Sequence, residues 1–295
     1  MTVLLSATLS PIASSLGWAL FYSLCQGLLV YIALTVILKI AKAASARVKH
    51  NLAYMSLTTV FAAFVYTWVD QWQKLQAYTI YITNNATTGE AHSYSVNALP
   101  SEPASHSLWQ QFIHNMEHAL PSLVAIYAAG LVFMITRLII SIYKVRQVKT
   151  KNLAQINETT EYLIENGVQR FAITKNVQAF ISSRVSAPAM IGFLKPVILL
   201  PASVMTALTT DQLESIILHE LAHIKRNDYL LNLIQTIIEI ILFFNPFVWL
   251  ISSFIRKERE HCCDDIVLDA TESPMLYART LALLEHERIT KQKLL

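Results

Sequence analysis

Apolar and polar positions divide the chain into two textures. Residues 1–150 are dominated by unbroken apolar runs, and three of these are long enough to span a bilayer: approximately Leu16–Ile40, Leu52–Val69 and Leu123–Tyr143; a span takes roughly 20 residues. No basic residue precedes the first run, and its apolar core is longer than that of a signal peptide, so it is expected to be an uncleaved anchor. Residues 151–295 carry shorter patterns. Val168–Thr174 and Ala179–Arg184 are rich in β-branched and aromatic residues and predict short strands. Val197, Ile198, Leu199 and Leu200 lie between Pro196 and Pro201, which predicts a short edge strand, because proline cannot donate to a ladder. Thr209, with Gln212 three residues on, matches a capping box and starts a helix that runs to about Asp228. The expected fold class is an α-helical membrane protein carrying an α+β domain with a small antiparallel sheet.

Charge sets the orientation. Only 15% of residues are charged and 54% are hydrophobic, whereas a soluble domain carries about 25% charged residues. Lys39, Lys42, Arg47 and Lys49 fall between the first two runs, and Lys144, Arg146, Lys149 and Lys151 follow the third. The stretch at about 70–120 between the second and third runs holds only Lys74. The positive-inside rule then puts the amino terminus and the 70–120 loop outside, and residues 151–295 in the cytoplasm. Trp68, Trp72, Tyr78 and Tyr81 suit an interfacial belt; Gln26 calls for an interhelical hydrogen bond, and Arg137 can snorkel. The net charge of +3 argues against direct nucleic-acid binding. Three cysteines, two of them adjacent, make no disulfide framework and are expected to be free thiols.

Inside the capped helix stands His219-Glu220-Leu221-Ala222-His223. Histidines four apart project from one helix face and can reach one ion. Zinc takes neutral imidazole readily, and Glu220 would stand beside the water it activates, as general base. The apolar flanks Ile216, Ile217, Leu218 and Ile224 imply a buried helix, where such polar groups need partners or a metal. A third protein ligand is expected. Glu260 and Asp264 share a helix face, so Glu260 could bind zinc while Asp264 orients a ligand from behind; His261 with Asp265, and Cys263, are rival donors that spacing leaves open.

His219–His223 with the following Ile224–Asp228, Asn245-Pro246, Glu260-x-x-x-Asp264, and the segment Ser186–Phe193 with Pro196–Pro201 resemble the BlaR/MecR-type membrane metallopeptidases, which transduce antibiotic signals. Where that family usually has a small residue and a single cysteine, this chain has Cys262-Cys263. The resemblance implies a gluzincin-like zinc site in a cytoplasmic peptidase domain at 151–295. His219, His223 and Glu260 would be the ligands, Glu220 the base, and Asp264 and Asp228 the supporting residues. It implies a bacterial-type inner membrane, and as substrate the chain itself or a cytoplasmic repressor. A homo-oligomer is compatible with this. Members often carry a further span and an outside domain, so the chain is expected to be part of a longer transducer. The alternatives are a quality-control or processing membrane protease, and a non-proteolytic transducer with a structural zinc. If His223 and Glu260 bind one ion, the apolar stretch 229–255 must fold back, with Asn245-Pro246 as the bend; a straight span would separate them by roughly 30 Å. Asn232, Gln235 and Glu239 fall near one face, so a re-entrant or interfacial hairpin is expected, lying against the cytoplasmic leaflet. The candidate substrate strand is Val197–Leu200.

Overall fold

The computed structural model describes residues 2–87, 108–150, 153–271 and 273–293. Three long helices come first: α1 (Thr2–Ile40), α2 (Ala46–Thr87) and α3 (Leu108–Thr150). Each holds a segment long and apolar enough to cross a membrane, at Ala13–Ile40, Ala46–Ala77 and Ala119–Val148. Large apolar side chains such as Leu29, Met55, Ile126 and Phe133 face outward from them, as suits surfaces solvated by lipid. A helix satisfies its own backbone groups, so it can run on past the apolar segment. Much of the expected 70–120 loop is accordingly helical: α2 continues to Thr87 and α3 begins at Leu108. The remainder of that loop, and the side chains of Tyr78 and Tyr81, lie outside the described residues. Gln26 donates to the Thr67 hydroxyl at 2.8 Å, the interhelical bond its membrane depth calls for.

The apolar stretch after Asp228 forms two helices, α7 (Asp228–Ile241) and α8 (Pro246–Ala270). Asn245 makes the turn. Its side-chain oxygen accepts from the backbone N–H groups of Phe247 and Val248, and Pro246 opens α8 where no N–H is needed. Its amide donates to the Ser23 carbonyl in α1 at 2.8 Å. A Cβ on Gly27 would stand 2.8 Å from that amide nitrogen, and one on Gly130 of α3 would collide with the Phe243 ring, so both glycines admit the hairpin tip. Ser23 lies roughly 25 Å of helix from the Ile40 end of α1. The tip therefore packs among the apolar helices at mid-span instead of lying flat beneath them. Ile238, Leu242, Val248, Ile251 and Ile255 share one core with Ala53, Leu57 and Phe64 of α2. Gln235 and Glu239 face α8: Glu239 pairs with Arg256 at 2.6 Å, and Gln235 donates to Glu239 and to the Ser252 carbonyl.

The remaining elements form an α+β unit. β1 (Leu153–Ala154), β2 (Gln178–Ser182), β3 (Ala189–Ile191) and β4 (Val197–Pro201) make one sheet in the order β1-β2-β4-β3. It is mixed, not antiparallel as expected, because β2 and β4 run parallel while the outer pairs are antiparallel. The expectation of an edge strand at Val197, Ile198, Leu199 and Leu200 is also corrected. β4 is an inner strand, buried along its whole length. Its prolines fall at the ends, where the Pro196 carbonyl still accepts from Gln178 N–H, and a continuous apolar run suits a strand covered on both faces. β3 is the edge on this side. Val168–Thr174 is no strand either. Helix α4 (Glu158–Arg170), which buries Leu163, Ile164 and Gly167 at helical spacing, takes its first three residues, and Phe171–Thr174 form the turn that follows. α5 (Ala202–Ala207) leads to α6 (Thr210–Arg226), which starts in the Thr209–Gln212 capping box. Ile217 and Leu221 of α6 pack on Ile198 and Leu200, on α4, and on Cys263 and Val267 of α8. α9 (Pro274–Lys293) closes the unit, and Tyr277 enters this core.

Candidate metal centre

Three helices meet at the site. His219 and His223 stand one turn apart on α6, beside Glu220. α6 ends at Asn227, whose left-handed backbone (φ 58°, ψ 33°) redirects the chain so that Asp228 begins α7 directly beneath His223. α8 returns from the hairpin and presents Glu260, Cys263 and Asp264 on successive positions of one side.

The two faces of each imidazole are treated differently. His219 Nε2 and His223 Nε2 lie 3.5 and 3.7 Å from Glu260 Oε2. Both Nδ1 atoms are held from behind. His223 Nδ1 meets Asp228 Oδ2 at 2.8 Å and Cys263 Sγ at 3.3 Å, and Arg226 Nε donates to both Asp228 oxygens. His219 Nδ1 meets the Tyr277 hydroxyl at 2.8 Å, and that hydroxyl donates to Asp264 Oδ1 at 2.7 Å. Such partners fix the tautomer and aim Nε2. Glu220 is buried, and with His219, His223, Glu260 and Arg259 it lines a cleft of about 520 Å³ walled also by Ser186–Met190.

The electrostatics follow from burial against pairing. Burial disfavours charge on His223, but its bonds to Asp228, Cys263 and Glu260 outweigh this and push its pKa up to about 12. Burial opposes charge on His219 as well, and Asp264 and Glu260 push it up to about 9. Glu260 is held well below the carboxylate range by both imidazoles despite partial burial. Asp228 is lowered by His223 and Arg226, against its burial. Glu220 moves the other way, raised by burial, with the two histidines only partly offsetting this.

The donor set fits zinc. Two imidazole nitrogens and a carboxylate oxygen bound tetrahedrally at 2.0–2.1 Å would stand about 3.3 Å apart, close to the observed 3.5 and 3.7 Å. His223, Asp228 and Cys263 also cluster, yet the 2.8 Å between Nδ1 and Asp228 is hydrogen-bond length, too short for two ligands of one ion. Of the rival donors, Cys263 therefore stands behind His223 and not at the convergence point. His261 is exposed and belongs to neither cluster found among the described residues. The structure thus brings His219, Glu220, His223, Asp228, Glu260 and Asp264 together, and leaves Val197–Leu200 inside the sheet. Tyr277 and Cys263 as braces, and the cleft wall at Ser186–Met190, are additions. Tyr277 lies thirteen residues past Asp264 on another helix, so no local spacing reveals it.

A family model described as BlaR1 peptidase M56 matches residues 19–294, and the chain belongs to that family. It is 25% identical to the regulatory protein BlaR1 of Bacillus licheniformis over 197 residues, 64% of this chain and 32% of that protein. It is 32% identical to the methicillin resistance mecR1 protein of Staphylococcus aureus over 94 residues, 32% of this chain and 16% of that protein. The match to BlaR1 thus spans about a third of that relative's length.

Proposed function

We propose that the chain is a membrane-embedded zinc endopeptidase acting in transmembrane signalling, which cleaves itself or a cytoplasmic regulator such as a transcriptional repressor. The observation that carries this reading is the convergence of His219 Nε2, His223 Nε2 and Glu260 Oε2, each imidazole braced from behind, beside buried Glu220 in one open cleft. A zinc ion there supplies Lewis acidity, polarising a scissile carbonyl and lowering the pKa of water towards ~7. Glu220 takes the proton from the attacking water and passes it to the leaving amine. Its burial favours the protonated form it would reach midway. Asp264, through Tyr277, and Asp228 hold the imidazoles in register. An extended substrate would lie along β3, the edge strand whose Ala189 and Met190 line the cleft. The signalling role is supported by the kinship with BlaR1 and mecR1.

The lysine and arginine asymmetry supports a bacterial-type inner membrane placement, with the amino terminus outside and the peptidase unit at 151–295 in the cytoplasm. The α7–α8 hairpin would then be re-entrant, its tip satisfied by Ser23 and by its own cap.

The test is self-cleavage in membranes, comparing the wild type with Glu220→Gln. Loss of a general base slows such chemistry by about 10²–10⁴-fold, so fragments formed by the wild type are expected to vanish. Identical fragmentation of both chains would refute a Glu220-dependent peptidase. An intact wild type that binds zinc but cuts neither itself nor added repressor-type substrate would favour a structural metal.

A further inference from the structure

We propose that a second site, at the junction of α2 with the peptidase unit, binds the phosphate headgroup of an anionic phospholipid in the leaflet facing that unit. Arg47, Arg170 and Lys225 come from α2, the end of α4 and the last turn of α6, and they line one pocket of about 320 Å³. Phe171, Ile266 and Ala270 form its apolar wall, and Asp269 is the one carboxylate among its lining residues.

None of the three cations makes an ion pair with a described residue, although Asp269 shares the pocket. Lys225 has its amine 5.1 Å from the centre of the Phe171 ring, a contact that leaves the charge available. A basic residue in a last helical turn is ordinary, because it complements the helix dipole; that accounts for Arg170 and for Lys225 taken singly. It does not account for their meeting Arg47, which belongs to another part of the chain. Three like charges brought together unpaired repel one another, and an anion in the pocket removes that repulsion.

The depth of the pocket selects the anion. Arg47 is the second residue of the apolar segment Ala46–Ala77, which puts it at the headgroup level of any bilayer that α2 crosses. Lys42 and Lys49 lie nearby in sequence and thicken the positive zone. A lipid phosphodiester reaches the pocket from this level, with its glycerol against Phe171 and Ile266. Bound there, it would tie the membrane helices to α6, the helix that carries His219 and His223. The inference takes from the proposed topology only that α2 crosses the bilayer, and it does not depend on proteolysis.

The full chain is reconstituted in phosphatidylcholine nanodiscs with and without phosphatidylglycerol. Lipid retention is read by native mass spectrometry and thermal stability by the unfolding midpoint. Retained phosphatidylglycerol and a higher midpoint are expected for the wild type. A headgroup-level cation contributes roughly fivefold in binding, so Arg47→Gln/Arg170→Gln/Lys225→Gln should lose on the order of a hundredfold. A control replacing Lys39 and Lys144, which do not line the pocket, should lose far less. Asp269→Asn should bind more tightly, a gain that misfolding cannot mimic. Equal retention by the triple variant and the wild type would overturn the site. Equal stabilisation by inorganic phosphate in phosphatidylcholine discs would overturn the lipid and assign a soluble anion instead.

Discussion

At the residue scale, the site separates the atoms that would bind metal from the atoms that aim them. Tyr277 shows the division. Its hydroxyl bridges His219 Nδ1 and Asp264 Oδ1 at 2.8 and 2.7 Å, while Asp264 itself is 3.3 Å from that nitrogen. Tyr277→Phe keeps the buried ring and removes the bridge. It is expected to weaken zinc binding by about 10–100-fold, as loss of such supporting contacts does, with an unchanged circular dichroism spectrum; chelator competition measures it, and wild-type affinity would refute the brace. Protons compete with the metal at the same atoms. In the metal-free chain, His219 and His223 have pKa values raised from 6.5 to about 9 and about 12. Their charged forms therefore contribute stability that is full below about pH 6.5, is lost for His219 as pH rises through about 9, and persists longer for His223. Zinc takes only neutral imidazole, so its apparent affinity is expected to rise with pH, and binding at pH 8 should expel up to about two protons. Titration calorimetry in buffers of different ionisation enthalpy reads this directly, and a buffer-independent heat would contradict it.

At the element scale, the α7–α8 hairpin is what brings Glu260 back to α6, and Asn245 holds its turn. Asn245→Ala removes both the cap on α8 and the bond to Ser23. The cap alone costs about 1–2 kcal/mol, read as a lower unfolding midpoint in detergent, with looser zinc binding because Glu260 loses its register. Asn245→Ser can keep the cap and loses the amide donor, so it should fall between the two. Much of this is legible before any coordinates. The Thr209–Gln212 box, the i,i+4 histidines and the Asn245-Pro246 break are local signals, each written within a few residues. What escapes is non-local. Pro196 and Pro201 argue for an edge only until β3 is found paired on the far side of β4. Val168 and Phe171 look like strand residues because their β-branched and aromatic side chains fit a strand, and packing of α4 on α6 puts Val168 in the helix and Phe171 at its C-cap. Tyr277, and the faces of Gln235 and Glu239, depend on which helix lies opposite.

At the scale of the whole molecule, topology is the testable quantity, because the membrane helices and the peptidase unit share one side at the α1–α2 turn. Arg47 there lines a pocket with Arg170 and Lys225, so Ser45 and the peptidase surface must face the same compartment whichever compartment that is. The proposed orientation rests on charge: eight lysines and arginines flank the spans on that side and Lys74 alone lies in the 70–120 stretch. Single cysteines at Ser45 and Lys195, probed with an impermeant maleimide, are expected to label together and only after the cells are opened. Background is low, since Cys262 and Cys263 are buried and Cys25 sits in the apolar part of α1. A cysteine at Asn245, fully buried at the hairpin tip, is expected to resist the reagent in both preparations. Labelling of Lys195→Cys in intact cells would reverse the proposed orientation and leave the convergence of His219, His223 and Glu260 untouched. Labelling of Asn245→Cys from outside would mean a tip open to that compartment, which the packing of Phe243 on Gly130 and of Leu242 and Val248 in the helix core does not allow. The two failures are separable because orientation is set by charge, whereas the fold-back of the hairpin is set by packing.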